Sequence, residues 1–370
     1  MPPEGALQLP LSAPGSQRPE GRPLRVVDVA LFYGQRGGGI STYLQAKGEY
    51  ARRTGALEHH LLVPDQHRSL VLAASNGYRL PLGSAGMLAR LRELEPDVVL
   101  LHDPYWSPRM TTRTAHAAGA AVVAVHHSSV ALNAAALPGP QEVYKAALRR
   151  WYRRAYLDVD AVMSVVDPTA DARRDRTLAL RLGLDPAFNP RAGLGVARGD
   201  HVLYAGRLSR EKGVRELLDA AALAEEPWPL LLIGTGPAED MLRDRAAALG
   251  ISERVRFRHF EPCRASLARE FAAARCVALP GAHETFGVVA LEAAACGASV
   301  VTASTTPSAK LLGGSVETFA PDDPRALAGA IRRARTKTPA AAAAKAIADA
   351  HSWDAVLSAE LADLSKLVSR

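Results

Sequence analysis

Short apolar runs alternate along this chain with longer stretches whose apolar residues recur every three or four positions. That alternation predicts strands joined by amphipathic helices. In the first half, Leu24–Leu31, His59–Val63, Asp97–His102, Ala121–His126 and Ala161–Val166 read as strands. Ile40–Arg53 has helical periodicity through Ile40, Tyr43, Leu44 and Ala51, and Val143–Ala155 is a further helix. In the second half, the run into Gly206, Leu230–Ile233, Val255–Phe257, Cys276–Leu279 and Ser299–Thr302 read as strands. Helices are expected from Val214, over Ala238–Leu249 and Leu267–Ala274, and over Phe286–Cys296 with Thr285 as N-cap and Gly297 closing it. The regular alternation predicts an α/β protein with two doubly wound parallel sheets. Such sheets bind ligands at the carboxyl ends of their strands.

The length of 370 residues fits two domains, each with its own core. The Pro- and Gly-rich text up to Gly199 reads as the linker between them. Residues 1–22 then form a disordered tail, 23–192 a first Rossmann-like domain, 193–351 a second, and 352–370 a closing helix. Apolar content of 48% and charged content of 22% are those of a soluble globular chain. No apolar run approaches the ~20 residues that span a bilayer. The tail lacks the hydrophobic region of a signal peptide. Cys263, Cys276 and Cys296 have no metal-type spacing and fit a reducing cytoplasm.

A net charge of +7 favours anionic partners. There is no zinc-finger spacing, aromatic strand motif or helix-turn-helix, so nucleic acid is not an expected partner. Lys145, Arg149, Arg150, Arg153 and Arg154 interleave with Leu148, Trp151 and Tyr152, a pattern suited to the anionic inner face of a membrane. A solvated helix with snorkelling arginines has the same pattern and is the commoner outcome. Asp158-Val-Asp160 reads as a helix-to-strand turn.

Three stretches carry candidate chemistry. Gly37-Gly38-Gly39 lies between a strand and a helix, where backbone N–H groups approach a phosphate closely. Gly206-Arg207 and Lys212-Gly213 follow another strand, offering a guanidinium fork and a compact ammonium suited to a diphosphate. Glu284 follows Pro280-Gly281, and Glu292 stands eight positions later, ~12 Å away if the span is helical. Carboxylates at that separation can accept hydrogen bonds from hydroxyls at both ends of a sugar nucleotide, although the spacing alone favours a capped helix with one acid in its loop and one on its solvated face. His102 and Asp103 end a strand on polar residues, suiting either an acceptor site or a plain turn.

Taken together, the Glu284-x7-Glu292 stretch, Gly206-Arg207…Lys212-Gly213, Gly234-x-Gly236-Pro237 and Gly38-Gly39-Ile40 resemble the family 4 glycosyltransferases. These are retaining enzymes of the GT-B fold and include the phosphatidylinositol mannosyltransferase type. The resemblance covers most of the chain from about Arg25 onward. It implies two Rossmann-like domains facing a cleft, with the closing helix packing back toward the first. It implies hexose transfer from a UDP- or GDP-sugar to a hydroxyl acceptor, with no metal or other cofactor. Arg207, Lys212 and the Gly38-Gly39 turn would face the donor diphosphate, with Gly206 in the same motif and Gly236 closing the nucleotide pocket. Glu284 and the amides of Phe286, Gly287, Val288 and Val289 would hold the sugar and phosphates, and Glu292 the ribose. His127, or else His126, would stand at the anomeric carbon. One departure is Thr302–Lys310, where the family has Gly-Gly and a nearby Glu. It leaves open a non-catalytic sugar-nucleotide-binding protein. The basic helix leaves open a peripheral module on anionic membrane.

Overall fold

The computed structural model describes residues 21–31, 33, 39–65, 68–73, 78–102, 104–127, 130, 134, 139–165, 177–282, 284 and 286–369. Most of the expected tail, residues 1–20, lies outside them. Arg22, assigned to that tail, is instead held in place, its guanidinium donating to both carboxylate oxygens of Asp97.

The first lobe runs β1 (Leu24–Val29), α1 (Gly39–Thr54), β2 (Leu57–Leu62), β3 (Ser69–Ala73), β4 (Tyr78–Pro81), α2 (Ala85–Glu93), β5 (Val98–Leu101), α3 (Pro108–Ala117), β6 (Ala121–His126), α4 (Gln141–Ala155), β7 (Ala161–Ser164) and β8 (Thr177–Ala179). Its sheet has the order β2-β1-β5-β6-β7-β8, every pair parallel. Strands β3 and β4 form a separate antiparallel hairpin.

The second lobe runs β9 (Val202–Ala205), α5 (Val214–Leu223), β10 (Leu230–Ile233), α6 (Glu239–Ala248), β11 (Val255–Arg258), α7 (Arg264–Ala273), β12 (Cys276–Leu279), α8 (Val288–Ala295), β13 (Val300–Ala303), α9 (Pro307–Leu312), β14 (Val316–Phe319), α10 (Pro324–Arg335), α11 (Ala341–Ala350) and α12 (Trp353–Val368). Its sheet order is β11-β10-β9-β12-β13-β14, again all parallel.

Strands β5, β9, β12 and β13 are buried along their whole length. Helices cover both faces of such sheets, which is why these strands read as unbroken apolar runs. Each sheet reverses direction once, between β1 and β5 and between β9 and β12. At those points successive connections leave on opposite faces and open a crevice beyond the strand ends.

Packing changes lobes between Leu180, which sits in the first core, and Leu184, which sits in the second with Phe188. Helix α12 then returns: Leu357 and Leu364 belong to the first core. Leu184 and Ser352 form a parallel bridge at the crossing, and Gly183 leaves room for the Trp353 ring.

Two local expectations are corrected. Helix α8 begins at Val288, not Phe286, and its N-cap is Gly287 at φ 72°, not Thr285. Phe286 is drawn into the core instead, and the left-handed Gly287 cannot continue a helix. Thr285 itself lies outside the described residues. The β3–β4 hairpin and β8 were not anticipated; all three are short, at three to five residues.

Candidate active site

Both switch points carry the residues singled out by sequence. In the second lobe, β9 delivers Gly206 and Arg207, and β12 delivers Pro280 to Glu284. The loops touch at Gly213, which has φ 68° and whose missing Cβ would press on the Pro280 carbonyl at 2.9 Å. Gly281 in turn lies against the Glu211 carbonyl and the Lys212 backbone. This close approach brings Lys212 Nζ to 2.8 and 2.9 Å from the two Glu284 carboxylate oxygens. Arg207 is exposed and has no ion pair among the described residues. The Tyr204 hydroxyl donates to its carbonyl at 2.8 Å, fixing the turn.

Gly236 packs rather than points. A Cβ there would run into the Leu208 carbonyl, so the glycine lets β10's loop lie against the Arg207 segment. The amides of Val288 and Val289 open α8, where N–H groups lack intrahelical acceptors and the helix end is positive.

Glu292 sits one turn further along α8, 8% exposed, with Arg264 Nη1 at 3.7 Å. Burial lifts its carboxyl to about 7, against the pull of Arg264 and with a push from Asp185. The two glutamates are not on one continuous helix, because Glu284 precedes its start. Where the family pattern has Gly-Gly and Glu, this chain builds a buried hydroxyl cluster. Thr302 and Thr306 Oγ1 lie 3.1 Å apart, Ser308 Oγ is 3.2 Å from Thr306, and Thr306 caps α9. Ser308 packs directly on Gly287.

In the first lobe Gly39 is the first residue of α1, while Gly38 and Asp103 lie outside the described residues. The two histidines ending β6 separate cleanly. His126 packs against Tyr152 of α4 and Tyr156 just beyond its end, and burial lowers its pKa to about 4. His127 faces the other way, its Nε2 2.6 Å from His102 Nδ1. His102 is buried, so it neither lines a surface nor forms a plain turn; its Nε2 is 2.5 Å from Asp28 Oδ1.

Asp28 anchors a network that sequence reasoning missed. His59 Nε2 lies 2.7 Å from its other oxygen, Oδ2, and Lys47 Nζ donates to Oδ1 at 3.2 Å. Lys47 also pairs with Glu360 of α12 at 2.7 Å, and the Tyr43 hydroxyl donates to Glu360 at 2.6 Å. Burial would raise the Asp28 pKa, yet Lys47 and the two histidines hold it well below the carboxylate range. Burial and the neighbouring His102 push His127 well below the usual imidazole value. A signal was present: an acid inside an apolar strand, and a lysine one turn after Tyr43 on the buried face of α1.

Among the described residues no cluster of His, Cys, Asp or Glu could hold a metal. Asp160, of the Asp-x-Asp pair, accepts from the Val122 amide and His116 and so secures the start of β6.

Two facing doubly wound lobes with a helix returning to the first define the GT-B fold. Sucrose-phosphate synthase from Thermosynechococcus elongatus shares it, with TM-score 0.69 and 18% identity over 94% of this chain and 99% of that one. So does Anabaena Alr3699/HepE in complex with UDP and glucose, with TM-score 0.65 and 20% identity over 94% and 100%. Residues 37–177 match the model described as Glycosyltransferase Family 4, and residues 195–350 that described as Glycosyl transferases group 1. The GDP-mannose-dependent alpha-(1-6)-phosphatidylinositol dimannoside mannosyltransferase of Mycobacterium tuberculosis is 29% identical over 93% of this chain and 97% of its own. The D-inositol 3-phosphate glycosyltransferase of Mycolicibacterium paratuberculosis is 30% identical over 97% and 88%. The chain belongs to the family 4 glycosyltransferases and is an enzyme that takes its sugar from a nucleotide donor.

Proposed function

We propose that this enzyme moves a hexose, with retention and without a metal, from a nucleotide diphosphate sugar to a hydroxyl acceptor. GDP-mannose is the first donor to test and an inositol-type or lipid-borne hydroxyl the first acceptor, because the relatives carry those names. The observation that carries the reading is the Lys212–Glu284 pair at the β9/β12 switch point, with the exposed Arg207 following the same β9 strand.

A leaving nucleoside diphosphate gains negative charge as the anomeric bond breaks. Arg207, Lys212 and the positive ends of α1 and α8 are suited to stabilise it, the office a metal holds in other transferases. Glu284 would exchange its bond with Lys212 for the sugar hydroxyls, Glu292 would accept from the ribose, and His127 would stand by the anomeric carbon. A thermal-shift screen with GDP-mannose, UDP-glucose and UDP-GlcNAc should single out one nucleotide by a raised Tm. Product NMR with that donor should then show a retained anomeric configuration, undiminished by EDTA. An inverted product, or turnover abolished by EDTA, would refute the mechanism.

The exposed face of α4 favours an additional contact with anionic membrane. Trp151 and Val143 are exposed, Tyr105 stacks on Trp151, and Arg149, Arg150, Arg153 and Arg154 surround them. No helix among the described residues is long and apolar enough to cross a bilayer. Flotation with phosphatidylglycerol vesicles should carry the protein upward, and Trp151→Ala should weaken it; flotation indifferent to lipid charge would remove this reading.

A further inference from the structure

Glu292 is a buried acid whose counter-charge comes from another helix. Its one ion pair among the described residues is with Arg264 of α7, Nη1 to Oε1 at 3.7 Å, beyond hydrogen-bond reach. We propose that Arg264 is a positioning residue: set over the Phe188 ring, it holds the Glu292 carboxyl as an anion ready for the ribose hydroxyls of the donor. The inference deepens the assignment of Glu292 to the ribose and rests on it.

Arg264 is the first residue of α7 and Glu292 lies in the second turn of α8, so the pair bridges two helices. Phe188 is buried beneath the guanidinium, whose carbon stands 6.0 Å from the ring centroid, and that contact limits where the arginine can swing. The arginine side chain is 43% exposed and the glutamate side chain 10%, so the cation keeps its hydration while the acid has lost most of its own. A buried carboxylate needs hydrogen bonds or a counter-charge. The vicinal hydroxyls of a ribose supply such donors, and bonds to the anion are roughly twice as strong as bonds to a neutral carboxyl.

No other group around Glu292 takes over this part. Asp185, which follows Leu184 at the lobe crossing, is an acid and opposes the anion. The Cys296 thiol, one turn on at the end of α8, is pushed up to about 12 and stays neutral. Lys310 of α9 and Lys345 of α11 are cations on the other helices packed on α8. Lys345 is paired with Asp349, and neither lysine has an ion pair with Glu292 among the described residues. Burial lifts the Glu292 carboxyl to about 7 even with Arg264 in place, so near neutral pH a lost guanidinium tips the group to its acid form.

The test reads Glu292 directly, by carbon-13 NMR of the glutamate carboxyls in the full ligand-free chain, titrated from about pH 5 to about pH 9. The signal missing from Glu292→Gln identifies the residue. Wild type should titrate near 7. Arg264→Gln should move the midpoint up by about one pH unit, the low end for a lost counter-charge at this distance, and Arg264→Lys should return most of it. Calorimetry with GDP-mannose as the probe should show affinity rising as pH passes the same midpoint. Binding to Arg264→Gln should be about fivefold weaker at pH 7, with the gap largely closed by about pH 8.5, and Glu292→Gln should lose the pH response. A Glu292 midpoint unchanged in folded Arg264→Gln overturns the proposal. So does binding weakened by one factor at every pH, the mark of a direct contact between Arg264 and the donor. A wild-type carboxyl already ionised at about pH 5 overturns it without any variant. The expected midpoints in a chain that binds GDP-mannose no better than Glu292→Gln does would sink the ribose assignment and leave the Arg264 coupling standing.

Discussion

Lys212 and Glu284 neutralise each other across the β9/β12 crevice, and both are part-exposed, so substrate can separate them at small cost. Arg207 lacks such an ion pair among the described residues and is exposed, so it is suited to meet a diphosphate. Arg207→Ala and Lys212→Ala should each lower kcat by roughly a hundredfold, the scale of a lost oxyanion donor. Steady-state kinetics with GDP-mannose checks this, and near-normal turnover in both would remove them from the mechanism. Glu292 makes a different demand. Its carboxyl is raised to about 7 by burial, so the folded state holds a proton that the unfolded chain releases near 4.3. Stability from this group is complete below about 4.3 and is lost as pH rises through about 7. Wild type should therefore lose Tm relative to Glu292→Gln between those values; parallel melting curves across that window would contradict the burial argument. The glutamates, Arg207 and Lys212 were legible as motif residues. Asp28 and Glu360 were not, because their meaning depends on partners in other elements, 19 to 74 positions away for Asp28 and 317 for the Tyr43–Glu360 bond.

At the level of elements, strand-end loops set the geometry. Gly287 turns the chain into α8 with φ 72° and lies against Ser308 of α9. An added methyl meets both strain and a clash, so Gly287→Ala should cost about 1 to 3 kcal/mol. Thermal unfolding measures this, and Ser308→Gly in the same chain should return only the steric part. A wild-type Tm in the single variant would show that the loop shifts freely. Strands β9, β10 and β12 were visible as apolar runs because both their faces are covered. The start of α8 was misread, since Phe286 continues the helical pattern while its burial belongs to the core. The β3–β4 hairpin escaped because each strand is short and its pairing is an antiparallel contact that no local periodicity announces.

For the whole molecule, α12 is the element that matters most. It leaves the second lobe, crosses at Leu184–Ser352, and puts Leu357, Leu364 and Glu360 into the first. Ending the chain at His351 should expose that apolar face and strip Lys47 of one carboxylate. The first lobe should then melt at lower temperature and bind a hydrophobic dye; an unchanged melt would make α12 an ornament. Glu360→Gln is gentler, leaving Lys47 balanced by Asp28 alone, and should fold with a smaller loss of Tm.

Local pattern alone determined the two parallel sheets and the strand-end placement of Gly206, Arg207, Lys212, Glu284 and His127, while the enzyme family came from the resemblance of those motifs to known ones. These follow from nearest-neighbour physics: apolar runs pair, glycines turn, and charged residues collect where strands end. Tertiary structure alone decided that Lys212 meets Glu284, that His126 and His127 face opposite ways, and that Glu360 closes a buried charge network begun at Asp28. Those outcomes depend on the distance between groups remote in sequence and on their removal from water, and neither quantity is written in any short stretch of the chain.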